Sequence, residues 1–192
     1  MKKINVKKMI LTAIFAAIAV IGSMFSVPVA GSKCAPVQHL INVLCAIFLG
    51  PWYGVAAAFI ASVLRNMMGL GTLLAFPGSM CGALLSGFLY RISGKRITAY
   101  AGEMFGTGVI GGMLAYPVAA LLMGNSSATM FMFVIPFLIS TIGGTILASI
   151  LCETLAKSGL LVRLKIMLGD ESNEGNELHN TDGCGTKRYN NT

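Results

Sequence analysis

Residues 37–64 read VQHLINVLCAIFLGPWYGVAAAFIASVL, a continuous apolar block with Gly50-Pro51-Trp52 at its middle. How this block is divided decides the fold. Proline lacks a backbone donor and disfavours helix for the residue before it. The block is therefore either one kinked helix or two short helices joined by a tight turn. Four more apolar blocks flank it, at about 9–27, 73–90, 99–123 and 130–156. Runs of this kind suit a bilayer. Of the 192 residues, 55% are apolar, 11% are charged and 23 are glycine. A soluble domain carries about a quarter charged residues. This composition excludes an ordinary cytosolic enzyme, a nucleic-acid binder coated in Lys and Arg, and a disordered chain.

The charges arbitrate between the two divisions. Lys2, Lys3, Lys7 and Lys8 precede the first block; Arg91, Lys95 and Arg96 fill a short gap; Lys157, Arg163 and Lys165 follow the last block. With one span at 37–64, the Arg91–Arg96 loop falls opposite the basic N-terminus. With two, all three basic groups share one side, as the positive-inside rule requires. The expectation is an all-α membrane domain over 1–168 with six spans, at about 9–27, 37–49, 52–66, 73–90, 99–123 and 130–156, and both termini cytoplasmic. Trp52, Tyr53, Tyr90 and Tyr100 then lie at cytoplasmic span ends, where amphipathic rings prefer to sit. The two short helices must cross upright or thin the bilayer locally. Residues 169–192 hold five of the seven acids and are expected to form a disordered polar tail. The N-terminus also has signal-peptide features, ending in Pro28-Val29-Ala30-Gly31. Its apolar run is long for that role, and Pro28 suits cleavage poorly, so it is read as a retained span.

Polar groups inside a membrane are costly unless they are paired or line a cavity. Two clusters fall beside the expected outer segments. In the first, Pro36 opens a helix, Gln38 and Asn42 share a face at i,i+4, and His39 lies alongside. The alternative role for such residues is holding helices together. In the second, Ser62, Arg65 and Asn66 form a stripe, followed by a loop with Thr72, Phe76 and Ser79. The Gly69–Pro77 stretch reads as a lid, with Phe76 as the ring that covers a ligand. Arg65 alternatively snorkels to outer headgroups. Tyr116, beside the helix-kinking Pro117, is a further cavity candidate. Glu103 is expected nearer the cytoplasmic face in a structural role, pairing with Arg91 or capping a helix. Small residues at Ala13/Ala17, Gly102/Gly106, Gly108/Gly112 and Gly144/Ala148 form seams for close helix packing. The first-helix seam is the one suited to an external partner. Thr141, Thr145 and Ser149 read as a packing stripe.

No catalytic or metal constellation stands out. The two histidines lack an H-E-x-x-H frame, the five cysteines lack C-x-x-C spacing, and the body holds only Glu103 and Glu153 as acids. No enzyme activity, cofactor or metal is expected.

Pro36-Val37-Gln38-His39-Leu40-Ile41-Asn42-Val43, Leu49-Gly50-Pro51-Trp52-Tyr53, Arg65-Asn66, Gly71–Ser79, and Gly102-Glu103 through Ala115-Tyr116-Pro117 closely resemble the ThiW family, from about Lys8 to Leu155. The resemblance implies a six-helix substrate-binding (S) component of an energy-coupling factor vitamin transporter in the bacterial cell membrane. It implies as ligand the thiazole precursor of thiamine, hydroxyethylthiazole, held near the extracellular face. It also implies as partners a transmembrane coupling subunit and two cytoplasmic ATPases, with the coupling contact on Ala13 and Ala17. A small uncharged thiazole needs one or two hydrogen-bond groups and a ring to stack on, which Gln38, His39, Asn42 and Phe76 supply. Another thiamine-related ligand, the aminopyrimidine half or thiamine itself, is the alternative within transport. Thiamine is cationic, and the outer half offers it no acid. A membrane-embedded lipid enzyme and a purely structural subunit are the alternatives outside transport.

Overall fold

The computed structural model describes residues 5–29, 32–125 and 127–169; the expected tail lies outside these. Apart from one small hairpin it is all helical. Helix α1 (Val6–Gly22) begins at Asn5, whose side chain caps the Lys8 N–H, and runs into a 3-10 turn, Ser23–Phe25. Strands β1 (Val27–Val29) and β2 (Ser32–Cys34) pair antiparallel, with Val27 opposite Cys34. Then come α2 (Pro36–Phe48), α3 (Pro51–Met67), α4 (Ala75–Ser93), the continuous α5 (Arg96–Leu122), α6 (Val134–Lys157) and a short α7 (Leu160–Met167).

The 37–64 block is two helices. Gly50 takes φ +84°, a conformation that side-chain-bearing residues rarely adopt, and Pro51 opens α3 with its fixed φ. Each helix from α1 to α6 falls on an expected apolar block, although α1 stops at Gly22, short of residue 27, and α6 starts at Val134, after residue 130. The hairpin was not anticipated, nor was α7 as a separate helix.

Among the described residues three helices are long and apolar enough to cross a membrane: Val6–Phe25, Arg96–Leu122 and Val134–Lys157. Their outward faces carry large apolar side chains, including Ile10, Ile14, Ile18 and Ile21 on α1 and Ile139, Ile146 and Ile150 on α6. The buried positions of these three helices are mostly small or polar, such as Ala16 and Ala19 on α1, Gly106 and Thr107 on α5, and Ser140, Gly144 and Ala148 on α6. This inversion suits a lipid surround, where association depends on close packing and hydrogen bonds.

Helix α2 is the centre. Ten of its residues are buried, among them Gln38, His39 and Asn42. It touches α1, α3, α4, α5 and α6. Being wrapped by protein, it needs no continuous apolar surface of its own and can carry polar groups. The glycine seams make the wrapping tight. A methyl group on Gly102 would meet the Ser86 backbone at 2.8 Å, one on Gly106 the Cys81 carbonyl at 2.8 Å, and one on Gly112 the Val134 Cα at 2.8 Å. The start of α5 is regular helix, but Met104–Gly111 and Val118–Leu122 are π-helical, the second directly after Pro117.

The basic groups gather at one end of the bundle. Lys7 Nζ donates to the Met167 carbonyl at 3.1 Å, Asn5 to Leu168 O at 3.1 Å, and Arg96 pairs with Glu153 at 3.3 Å. Lys165 of α7 bonds the Tyr90 hydroxyl. The opposite end is held by β2: Lys33 Nζ donates to Gly69 O at 3.0 Å, and the Ala35 N–H to Ser140 Oγ at 2.9 Å.

Candidate functional site

At the hairpin end, α2, α4 and α6 begin and α3 finishes, and their side chains surround a narrow cavity. Its lining includes Lys33, Gln38, His39, Arg65, Thr72, Ser79, Thr107, Phe137 and Ser140. The enclosed space between them is about 30 Å³, room for about one water molecule, so a ligand of several heavy atoms needs the lining side chains to move apart.

One wall of the cavity is a hydrogen-bonded network rooted on Glu103, which is fully buried. Its Oε1 accepts from His39 Nδ1 at 2.9 Å, Asn42 Nδ2 at 3.0 Å and Thr107 Oγ1 at 2.9 Å. Because a carboxylate only accepts, Nδ1 of His39 carries the proton, and in the neutral ring Nε2 accepts the Ser140 hydroxyl at 3.1 Å. Asn42 Nδ2 also reaches Ser79 O, at 3.2 Å, and Asn42 Oδ1 accepts from Gln38 Nε2 at 3.3 Å. Gln38 Oε1 in turn accepts from Arg65 Nη1 at 3.2 Å. A single chain of bonds thus runs from Arg65 through Gln38, Asn42, Glu103, His39 and Ser140 to the backbone of Ala35.

Glycine makes room for the carboxylate. A methyl group on Gly82 would meet Glu103 Oε2 at 2.7 Å and would collide with Thr107 Oγ1. Oε2 itself has no hydrogen-bond partner among the described residues.

The expectation for Glu103 is therefore corrected. Its partners are His39, Asn42 and Thr107, not Arg91, because α2 sits at the bundle centre with its polar face against α5. The expected site residues separate into two groups. Gln38, His39, Arg65, Thr72 and Ser79 line the cavity, while Asn42 is not among the lining residues and bonds Glu103, Ser79 and Gln38 instead. Asn66 bonds Ser62 O at 2.8 Å and Thr72 O at 3.2 Å, latching loop to helix outside the lining. Phe76 packs edge-on against Phe59, with ring centres 5.8 Å apart, because Ala75–Pro77 are the first turn of α4 and not part of a loop. Tyr116 is 38% exposed on the outer surface of α5 and is not among the lining residues. Arg65 does not snorkel: only 2% of it is exposed. Leu70 and Gly71 fold back to donate their N–H groups to its carbonyl at 2.9 and 3.0 Å.

Sequence reasoning missed Thr107, Phe137 and Ser140. Thr107 is hidden in a glycine-rich run, and Ser140 and Phe137 in an apolar one; only the fold brings them beside His39. Ser140, His39 and Glu103 have the connectivity of a nucleophile–base–acid triad. Here the Ala35 N–H already occupies Ser140 Oγ, so the hydroxyl joins the hairpin end of α2 to α6. Outside the cavity, Ala13 and Ala17 are exposed on α1, while Ala16 and Ala19 are buried against the bundle.

In chemical terms the cavity offers amide, hydroxyl and imidazole groups beside one aromatic ring and two cations. That inventory suits reversible recognition of a small polar ring compound. Comparison with curated protein sequences finds no match to the chain. The family model for ThiW, the thiamine-precursor transporter protein, matches residues 9–158, and with most of its length so covered the chain belongs to the ThiW family.

Proposed function

We propose that this protein is the substrate-binding component of an energy-coupling factor importer, and that it binds hydroxyethylthiazole in the cavity around His39. The observation that carries the reading is the cavity itself: small, partly apolar, and lined by hydrogen-bonding groups that include Lys33 of β2 and Thr72 of the loop after α3. The second N–H of Gln38 would donate to the ring nitrogen and Ser140 Oγ would accept from the hydroxyl, beside His39 and with Phe137 as the aromatic wall.

The reading includes six spans. Helices α2, α3 and α4 are shorter or less apolar than the other three, and their enclosure by neighbours supports a crossing that needs little lipid-facing length. The clustering of Lys7, Arg96, Lys157 and Arg163 at one end supports cytoplasmic termini and a hairpin facing outward. The membrane domain is taken as 1–168, followed by the polar segment 169–192. The membrane is the bacterial plasma membrane. The exposed Ala13 and Ala17 are the proposed contact for the coupling subunit, with two ATPases supplying the energy.

Binding of the aminopyrimidine half of thiamine, or of thiamine, is the alternative within transport. The Ser140–His39–Glu103 connectivity is the one observation that favours a membrane enzyme instead. A calorimetric screen of the purified chain with hydroxyethylthiazole, the aminopyrimidine and thiamine tests the ligand. Recovery of the ligand chemically unchanged speaks for carriage, and recovery of a cleaved product for catalysis. Co-purification with ATPase subunits tests the assembly; a chain that transports alone would overturn it.

A further inference from the structure

Arg65 is buried with only 2% of its surface exposed, yet no acid among the described residues pairs with it. Among the described residues the acidic side chains that contact a basic one are Glu103, which accepts a hydrogen bond from His39, and Glu153, which pairs with Arg96. Arg65 Nη1 bonds the neutral carboxamide of Gln38, and Arg65 Nε has no hydrogen-bond partner among the described residues. Glu103 is reached only through Gln38 and Asn42, and its bonded oxygen is already shared by three donors. An uncompensated buried charge is strongly unfavourable, more so in a membrane, and persists where a ligand completes it. Arg65 lines the cavity, Lys33 lines it too, and no carboxylate does.

We infer that the Arg65 corner of the cavity is a binding site for an anionic oxygen group, and that the transported ligand is taken up preferentially as a phosphate monoester. This rests on the thiazole reading above, whose alcohol is the position such an ester would occupy. A guanidinium presents a planar fork of donors that matches phosphate oxygens, and Arg65 Nε supplies a free member of that fork. Gln38 holds the other side of the guanidinium in place. Lys33, exposed at the mouth and tied to Gly69, adds a second positive charge on the entry path. The ring would then lie deeper, toward Phe137 and His39.

The test uses the full chain purified in detergent. Titration calorimetry compares hydroxyethylthiazole with its phosphate monoester, and thermal unfolding is followed with inorganic phosphate against chloride at equal ionic strength. The monoester is expected to bind at least tenfold more tightly, about 1.4 kcal/mol, and phosphate to raise the unfolding temperature. Arg65→Gln should abolish both effects. Gln38→Glu, which gives Arg65 an internal carboxylate and so keeps the buried charge paired, should abolish them even if Arg65→Gln does not fold. Equal affinity for alcohol and monoester would overturn the anion site while leaving the thiazole reading standing. Phosphate stabilisation through Arg65 without binding of either thiazole would uphold the anion site and overturn the thiazole reading. Absence of both would overturn both.

Discussion

Glu103 Oε1 lies 2.9 Å from His39 Nδ1, joining the N-terminal part of α5 to the first turn of the innermost helix across 64 positions of sequence. The pair is the buried root of the cavity wall, since His39 then reaches Ser140 and Asn42 reaches Ser79. Its geometry fixes which side chains can turn toward a ligand and which are committed to the protein.

Removing the carboxylate should strand three donors. Each stranded donor costs about 1–3 kcal/mol. Glu103→Ala is expected to lower the thermal unfolding temperature in detergent markedly. Glu103→Gln, which retains one acceptor oxygen, should fall between the two. Equal unfolding temperatures for all three proteins would show that the network adds nothing to stability.

Gly82 is the position where the network tolerates no side chain. Its Cβ would run into Thr107 Oγ1 and lie 2.7 Å from Glu103 Oε2. Gly82→Ala should destabilise by about 1–3 kcal/mol, the usual cost of overpacking. Gly143→Ala is the matched control, because a methyl group there meets only Pro36, at 3.9 Å. Unfolding curves that rank the two variants the other way would contradict the packing described here.

Two phenylalanines on neighbouring helices should behave differently. Phe137 lines the cavity, whereas Phe76 packs against Phe59. Phe137→Ala is expected to weaken thiazole affinity at least fivefold, about 1 kcal/mol, with Phe76→Ala changing affinity far less and lowering stability instead. Calorimetry on both variants reads the difference; a larger affinity loss for Phe76→Ala would return the lid role to that ring.

Cys34 sits on β2, buried, with its thiol toward Pro136 O at 3.4 Å. Burial pushes this thiol above its ordinary value, and the Ser140 hydroxyl offsets only part of that. A raised thiol stays protonated to higher pH, so maleimide labelling of a variant retaining only Cys34 should lag a free thiol between pH 7 and about 9. The same shift contributes stability below the ordinary thiol range and loses it as pH rises through the raised value. Labelling at the free-thiol rate at pH 7 would mean that the hairpin end opens readily.

Much of the fold was legible in sequence because its causes are local or one-dimensional. Gly50-Pro51 breaks the 37–64 block wherever it is placed, and apolar length with basic flanks sets the helix boundaries. Arg65, Gln38 and His39 were visible as candidates because polar side chains in apolar runs are expensive in any arrangement. Glu103 was visible too, but its partner was not: nothing in a linear pattern says that α2 lies at the centre with its polar face against α5. The same holds for Thr107 and Ser140, ordinary residues until glycine contacts at Gly82, Gly106 and Gly144 draw the helices together around His39. Phe76 is not a lid because it lies in the first turn of α4, with its ring against Phe59. Sequence alone therefore determined an apolar helical chain, its breaks and its costly residues. Tertiary packing decided which of those costs are met inside the protein, as at Glu103, and which, as at Arg65, are left for something else to meet.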